Sequence, residues 1–256
     1  MSLKPFVRRL LSSRVKPHRI LAGPLRGASI VTSWHDYPAS IMGRTERDLL
    51  AWFEHNVKPG ETWLDVGAHY GYTAIALSHL VGPTGRVFAF EPVLSTAGCI
   101  AQTRSLNALA QTTVVPCGLG TPDTLAYVEL PLERGMADQT LSWDVKRWRE
   151  SIQIARLDWL WPLLNGGIDA IHGVKIDVQG METEALRGME AILRRQRPKL
   201  VVELHAGVDR STILDLLTCA GYKARGCAIE PQVDEEFKDN HSYAFVANDV
   251  EAFLPD

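Results

Sequence analysis

Blocks of apolar and polar residues alternate along most of the chain. From residue 58 onward, short apolar and β-branched runs are followed by stretches whose apolar side chains recur at helical spacing. The runs predict strands at 62–66, 86–91, 113–117, 171–178, 199–205 and 243–247, and the stretches predict helices at 72–80, 95–106, 182–195 and 209–220. Strands that alternate with helices of this length are typical of an α/β fold, a mainly parallel sheet with helices on both faces.

Two regions depart from this alternation. Residues 1–57 predict an N-terminal extension that ends in a helix at 46–57, stopped by Lys58-Pro59-Gly60, whereas residues 58–256 predict a single globular unit. Residues 120–164 predict an insertion with strands at 125–130 and 152–157 around a polar loop. Insertions of this size often face the substrate, so we expect this one to lie near the functional site.

Composition excludes several classes of protein. The 256 residues are 46% hydrophobic and 22% charged, as in ordinary soluble proteins, and the net charge of −3 argues against broad nucleic-acid binding. The four cysteines show no C-x-x-C pair and no zinc spacing, which indicates free thiols in a reducing compartment. No apolar run approaches the roughly 18–20 residues that span a bilayer. We therefore expect a cytoplasmic protein without a nucleic-acid partner.

The N-terminal segment is basic. Seven Lys or Arg residues occur before residue 27, and the apolar residues Leu3, Phe6, Val7, Leu10 and Leu11 predict a short amphipathic helix. Such a helix could contact an anionic membrane surface. Because Pro5 and Pro17 keep it short, we favour a helix packed on the main domain or a frayed terminus.

The clearest chemical signal follows the first strand of the globular unit, in Asp65-Val66-Gly67-Ala68-His69-Tyr70-Gly71-Tyr72. Gly67 permits a tight turn that a ligand can approach, and Gly71 permits close packing of the helix that follows. The loop lacks the G-x-G-x-x-G pattern of dinucleotide sites. Asp65 would attract the ammonium group of a methionine moiety and repel a pyrophosphate. The loop therefore predicts S-adenosyl-L-methionine as the cofactor.

Two further segments would complete the cofactor site. Glu91 ends the second strand, before Pro92, and a carboxylate there can accept both ribose hydroxyls. After the third strand, Gly118 and the free amide of Leu119 lie where an adenine ring would bind. An ordinary β-turn is the alternative for this last segment.

Together with two later segments, these motifs resemble those of FkbM-type methyltransferases over residues 60–206. The later segments are Lys175-Ile176-Asp177-Val178-Gln179-Gly180-Met181-Glu182 and Val202-Glu203-Leu204-His205. The resemblance implies a Rossmann-like class I methyltransferase fold with a seven-stranded sheet, and methylation of hydroxyl groups on small molecules, glycans or lipids. The cofactor-binding residues it implies are Asp65, Gly67, Ala68, His69, Gly71, Tyr72, Thr73, Glu91, Pro92, Gly118, Leu119 and Asp177. Gln179 departs from the family, which usually has Glu there, and this puts any proton or metal chemistry of that carboxylate in doubt.

Catalytic candidates lie at the ends of the later strands. Methyl transfer requires alignment of acceptor, methyl and sulfur and removal of one proton, so we predict catalytic roles for Asp177, Glu203 and His205. Asp177 could instead pair with Lys175 or cap a helix, and His205 could bind backbone. Glu203 and His205 share one strand face, and with Asp177 they have the ligand types of a divalent metal site. Because no tight motif joins them, we predict no metal.

Other interpretations remain open at this point. Tyr37 and Glu46 could fold over the site as a lid, and tryptophans of the insertion (Trp143, Trp148, Trp159, Trp161) could stack on a sugar, although Trp159 and Trp161 fit the core better. A nicotinamide-dependent oxidoreductase shares the fold but would need G-x-G-x-x-G. A non-catalytic cofactor-binding adaptor is the third alternative, and the oligomeric state is open.

Overall fold

A computed structural model of the chain describes residues 11–137, 149–165, 170–230 and 237–248. Its strands are β1 (Lys16–Arg19), β2 (Ser29–Thr32), β3 (Thr62–Val66), β4 (Arg86–Phe90), β5 (Thr112–Val115), β6 (Gly118–Leu119), β7 (Ala126–Glu133), β8 (Met136–Ala137), β9 (Arg149–Ala155), β10 (Gly173–Ile176), β11 (Lys199–Leu204), β12 (Cys227–Ala228) and β13 (His241–Phe245). Its helices are α1 (Pro38–Met42), α2 (Arg47–Asn56), α3 (Tyr72–Val81), α4 (Leu94–Leu106), α5 (Leu157–Asn165), α6 (Glu182–Arg187), α7 (Glu190–Gln196) and α8 (Arg210–Cys219).

The central sheet has seven strands in the order β12-β13-β11-β10-β3-β4-β5. Neighbours from β11 to β5 pair in parallel, whereas β13 is antiparallel to both β11 and β12. This topology confirms the predicted Rossmann-like class I fold with a mainly parallel seven-stranded sheet. It also places the carboxyl ends of five parallel strands along one edge, where ligands bind in open α/β sheets.

Two hydrophobic cores cover the two faces of this sheet because side chains alternate along each strand. In β3, Leu64 and Val66 pack into the core formed with α5, α6, α7 and α8. Trp63 points the other way, into the core formed with α2, α3 and the N-terminal region. Every residue of β3 is buried, which explains why its apolar run is nearly continuous.

The N-terminal extension packs against α4. Its β1 and β2 form an antiparallel hairpin that the sequence pattern did not predict. The Val31 amide donates to the hydroxyl of Thr103 (2.9 Å), and the Asn107 side chain bonds both backbone groups of Ser29 (2.7 Å each). The helix predicted at 46–57 is present as α2, whereas the amphipathic helix predicted from Leu3 to Leu11 lies almost entirely outside the described residues.

The prediction of one helix over 182–195 is wrong, because the chain forms two helices, α6 and α7, in that stretch. A Cβ at Gly188 would lie 2.0 Å from the backbone oxygen of Gly120, so the chain passes that point at backbone contact distance. The Gly188 oxygen accepts the Asp158 amide (3.0 Å). The Asp158 carboxylate in turn accepts the amides of Ala191 and Ile192 (3.0 and 2.9 Å) and so starts α7.

The insertion forms a second sheet in the order β6-β9-β7-β8. Its two long strands confirm the strands predicted at 125–130 and 152–157, with β9 beginning and ending earlier than expected. Trp161 is buried against Phe88 (ring centroids 4.9 Å apart) and Trp159 packs on the same core, so both have the core role that we favoured. Trp143 and Trp148 lie outside the described residues. None of the described helices has the length and apolar content to cross a membrane.

Candidate active site

A cavity of about 210 Å³ lies at the carboxyl ends of β3, β4, β5, β10 and β11. The second sheet and the N-terminal extension provide its remaining walls. Most of the predicted site residues line it, namely Gly67, Ala68, His69, Tyr72, Thr73, Glu91, Pro92, Gly118, Leu119, Asp177 and Glu203. Asp65, Gly71 and His205 lie outside the lining.

The loop after β3 is held between the neighbouring strands. The amides of Gly67 and Ala68 both donate to the oxygen of Phe90 (3.0 Å each). Gly67 has a φ of +78°, and a Cβ there would lie 1.8 Å from the backbone oxygen of Asp177. Only glycine fits this position: the sequence predicted the tight turn, but not the close approach of the Asp177 backbone. A Cβ at Gly71 would lie 3.2 Å from Ile100, so the close packing expected at this glycine is against α4.

Glu91 is buried in the cavity wall, with 4% of its surface exposed. One carboxylate oxygen accepts the amide of His69 and the other accepts the amide of Val93 (2.9 Å each). Burial outweighs these two hydrogen bonds and raises the pKa of Glu91 to about 8. Each oxygen keeps a second lone pair, so the carboxylate can still accept hydroxyl groups from a ligand.

Asp65 lies beneath the cavity and is fully buried. One of its oxygens accepts the hydroxyl of Thr73 (2.7 Å), and the other lies 3.3 Å from the Lys175 ammonium. Burial disfavours the ammonium, but the charges of Asp65 and Asp177 outweigh it and raise the pKa of Lys175 well above the usual lysine value. Asp65 therefore positions two side chains, Thr73 and Lys175, that do line the cavity.

The three predicted catalytic side chains meet at the ends of β10 and β11. The Nε2 atom of His205 lies 3.6 Å from Asp177 Oδ1 and 3.5 Å from Glu203 Oε1. Its Nδ1 atom bonds Oε1 of Glu182 (2.7 Å), which also accepts the Gly180 amide (3.1 Å). Sequence reasoning assigned Glu182 no function, although its place in the motif after β10 was visible.

Neighbouring charges and hydrogen bonds raise the pKa values of Glu203 and His205. The charge of Asp177, followed by burial, raises the pKa of Glu203 to about 8. Burial opposes the imidazolium form of His205, but the hydrogen bond to Glu182 and the nearby carboxylates outweigh it and raise the pKa of His205 to about 9. At neutral pH this imidazole therefore holds its proton as long as no cation replaces it.

Side chains from two distant segments close the cavity. Tyr37 and Glu46 of the N-terminal extension line it, as does Arg134 at the tip of the second sheet. His69 donates from Nε2 to the oxygen of Arg134 (3.1 Å), and burial lowers the pKa of His69 to about 4, so its ring is neutral. The Nε atom of Arg134 in turn donates to the backbone oxygen of Asp36 (2.9 Å). Sequence reasoning missed Arg134 because no local pattern marks it.

The cavity has a chemical gradient along the sheet edge. Near β5 and the second sheet its walls are apolar, with Pro92, Cys117, Leu119, Leu130, Ile152 and Ile154. Near β10 and β11 they are charged, with Glu46, Lys175, Asp177 and Glu203. One end therefore suits a flat apolar group, and the other suits polar and ionic groups.

Comparison with known proteins finds similarity to methyltransferases. Residues 65–224, more than half of the chain, match the family described as methyltransferase FkbM domain. Hexuronic acid methyltransferase AglP of Haloferax volcanii is 26% identical over 175 residues, which are 68% of this chain and 69% of that protein.

The chain is also similar to proteins of known structure. The methyltransferase FkbM of Methylobacillus flagellatus is 18% identical, with a TM-score of 0.46 over 77% of this chain and 50% of that chain. Fibrillarin of Aeropyrum pernix, with natively bound S-adenosyl-L-methionine, is 14% identical, with a TM-score of 0.48 over 91% of this chain and 99% of that chain. The family match covers the motifs after β3, β4, β10 and β11. The predicted resemblance is thus confirmed, and the chain belongs to the FkbM family of S-adenosylmethionine-dependent methyltransferases.

Proposed function

We propose that this protein transfers the methyl group of S-adenosylmethionine to a hydroxyl group of a small molecule, glycan or lipid. The observation that carries the proposal is a single cavity with two different ends. Glu91 and the apolar walls lie on the side of β4 and β5, and the carboxylates Asp177 and Glu203 lie on the side of β10 and β11. A donor and an acceptor would meet between them.

The described residues fit the donor. Glu91 would accept the ribose hydroxyls with its remaining lone pairs, and Gly118 and Leu119 would contact the adenine ring together with Leu130 and Ile154. Gly67, Ala68, His69, Tyr72, Thr73 and Pro92 would form the rest of this wall. When bound, S-adenosylmethionine supplies a methyl group on a positively charged sulfur, already activated for transfer.

The methionine end of the donor would lie over the charged part of the cavity. Asp177 would face its ammonium group, and Lys175 its carboxylate. Asp65 would act indirectly, since its oxygens are directed to Thr73 and Lys175. Gly71 would support the site by leaving room for Ile100, which a Cβ at this position would approach to 3.2 Å. The chain thereby fixes the direction from which the acceptor must approach the methyl group.

The acceptor would bind beside Asp177 and Glu203, which would hold its hydroxyl oxygen in line with the methyl group, while His205 would act from outside the cavity lining through these two carboxylates. The carboxylates at this end, Glu46 included, disfavour an anionic acceptor oxygen and favour a neutral hydroxyl. The relative from Haloferax volcanii is named for hexuronic acid. Hexuronic acids and glycans that contain them are therefore the first acceptors to test.

The first experiment is calorimetric titration of the protein with S-adenosylhomocysteine, with NADH in parallel. We expect micromolar binding of S-adenosylhomocysteine alone. At a pH above the raised pKa of Glu91, Glu91→Gln should weaken it by at least about tenfold, since a buried carboxylate that accepts hydroxyl groups contributes about 1.5–3 kcal/mol. Binding that is unchanged in Glu91→Gln would remove Glu91 from the donor site, and binding of NADH would overturn the proposed reaction.

A second experiment identifies the reacting oxygen. The protein is incubated with methyl-labelled S-adenosylmethionine and a panel of neutral sugars, hexuronic acids and lipid-linked glycans. A methyl ether survives mild alkali, whereas a methyl ester is hydrolysed, so the label that remains after alkali reports a hydroxyl acceptor. Label that is fully released by alkali would show that a carboxylate is methylated and would contradict the proposed hydroxyl specificity.

A further inference from the structure

The cluster at the ends of β10 and β11 has the geometry of a cation site. One ligand atom from each of Asp177, Glu203 and His205 lies within 4.8 Å of the other two. The distances from His205 Nε2 to the two carboxylates, 3.6 and 3.5 Å, are long for hydrogen bonds. Neighbouring ligand atoms around a divalent cation with bonds of about 2.0–2.2 Å are themselves roughly 2.8–3.6 Å apart. The spacing thus leaves room for an ion between the three groups.

His205 is oriented from behind by a carboxylate outside the cluster. Glu182 is fully buried, and its Oε1 atom is held by the Gly180 amide (3.1 Å) and by His205 Nδ1 (2.7 Å). This contact places the proton of a neutral imidazole on Nδ1 and turns the lone pair of Nε2 toward Asp177 and Glu203. Histidines that ligate metals are oriented in this way by a carboxylate on the opposite ring nitrogen.

The carboxylates around the cluster also favour the binding of a cation. Asp177 and Glu203 face the cavity with side chains that are 23% and 21% exposed. The ammonium of Lys175 lies 3.3 Å from the buried Asp65 and 3.5 Å from Asp177, so its charge is shared between them. Glu46 adds another carboxylate to the same wall. With these carboxylates ionised and His205 neutral, as ligation of a cation requires, negative charge is in excess where an acceptor hydroxyl would lie.

Although the sequence alone led us to predict no metal, we propose from this geometry that Asp177, Glu203 and His205 bind a divalent first-row metal cation such as Mn²⁺ or Zn²⁺, with Glu182 as the positioning residue. Two carboxylates and one imidazole suit these ions better than Mg²⁺ or Ca²⁺, which prefer oxygen alone. Three protein ligands leave positions open toward the cavity.

The role of the cation rests on the proposed function. In the open positions it would contact the acceptor hydroxyl and favour loss of its proton to water. The acceptor oxygen then forms its bond to the methyl carbon as the carbon–sulfur bond breaks, and S-adenosylhomocysteine leaves.

The test measures metal binding itself. The full chain is freed of metal with a chelator, dialysed and titrated with MnCl₂, and free Mn²⁺ is followed by electron paramagnetic resonance without donor or acceptor. We expect one site per chain. Glu203→Gln and Asp177→Asn should each weaken binding by more than tenfold, and Glu182→Gln by about 10–100-fold with the same stoichiometry. The exposed Asp215→Asn is the matched control and should bind as the unaltered protein does.

The outcomes separate this inference from the proposed function. No binding of Mn²⁺ to the unaltered protein up to about 1 mM, or binding that Glu203→Gln leaves unchanged, would overturn the cation site. Because the first of these outcomes uses the unaltered chain, it does not depend on whether a variant folds. Methyl transfer that persists in chelator would leave the proposed function standing without the cation. Metal binding without binding of S-adenosylhomocysteine would support the cation site and contradict the proposed function.

Discussion

At the scale of single residues, Glu91 shows how burial tunes a binding group. Its carboxyl group is enclosed between the amides of His69 and Val93, and yet its pKa is raised to about 8 because burial dominates. At neutral pH the unliganded protein therefore mostly carries a proton on Glu91. A ligand that hydrogen bonds to the carboxylate form must displace that proton.

We expect the affinity for S-adenosylhomocysteine to depend on pH through Glu91. Below its pKa of about 8, each fall of one pH unit should weaken binding by up to about tenfold, and above it the dependence should level off. Calorimetry in buffers of different ionisation enthalpy measures the protons released. Glu91→Gln is the control, because it lacks the titrating carboxyl group and reports only the ligand's own titration. Equal pH dependence in both proteins would contradict this prediction.

A second residue-scale prediction concerns the pair Lys175 and Asp65. Both are buried, with exposures of 4% and 0%. Lys175→Met would leave Asp65 as an uncompensated buried charge and should lower the free energy of unfolding by about 3–5 kcal/mol in urea titrations. Adding Asp65→Asn should recover part of this loss. A double variant that loses the full sum of the two single effects would show that the pair is not coupled.

At the scale of secondary structure, the break between α6 and α7 depends on one glycine. Gly188→Ala would place a Cβ 2.0 Å from the backbone oxygen of Gly120 and should destabilise the protein by several kcal/mol, as overpacking against backbone does. Gly98→Ala is the matched control, since Gly98 is exposed within α4 and has no neighbour within 4 Å of the added Cβ. That change should stabilise the protein by about 0.5–1 kcal/mol. Urea unfolding of both variants tests the contrast, and a neutral Gly188→Ala would refute it.

The same scale shows what the sequence could and could not predict. The strands at 62–66 and 199–204 follow from their apolar runs, because a parallel strand covered on both faces carries its own signal. The break at Gly188 depends on contact with Gly120, which is distant in the chain, and no local pattern marks it. The candidate active site likewise has features that the sequence could predict and features that it could not. The loop at Gly67 is a local motif, whereas the pairing of Glu182 with His205 exists only after β11 has packed beside β10.

At the scale of the whole molecule, the cavity is shared by three parts of the chain. The central sheet, the second sheet and the N-terminal extension meet around Asp36, whose carboxylate accepts the Tyr70 hydroxyl (3.0 Å) and whose backbone oxygen accepts Arg134. These contacts span 34 and 98 residues of sequence. Donor binding should therefore stabilise the whole domain rather than one loop, by about 2.7 kcal/mol at a ligand concentration of 100 times Kd.

Tyr70→Phe tests this connection. Removing a hydrogen bond to the Asp36 carboxylate should lower the free energy of unfolding by about 1.5–3 kcal/mol and weaken donor binding a few-fold. Tyr127→Phe removes a hydroxyl from a side chain that is 65% exposed and should change neither quantity. Thermal unfolding with and without S-adenosylhomocysteine measures both. Equal behaviour of the two variants would show that the Asp36 contact does not support the cavity.

The antiparallel strand β13 also constrains the order in which the molecule can be completed during synthesis. β13 lies between β11 and β12, although β12 precedes it in the chain. Until residues 241–245 have left the ribosome, β11 has an open edge and β12 has no partner among the described strands. A nascent chain that already holds the cofactor loop would thus still expose a strand edge that can pair with other chains. We therefore expect truncations before β13 to aggregate even though they keep the residues of the candidate active site.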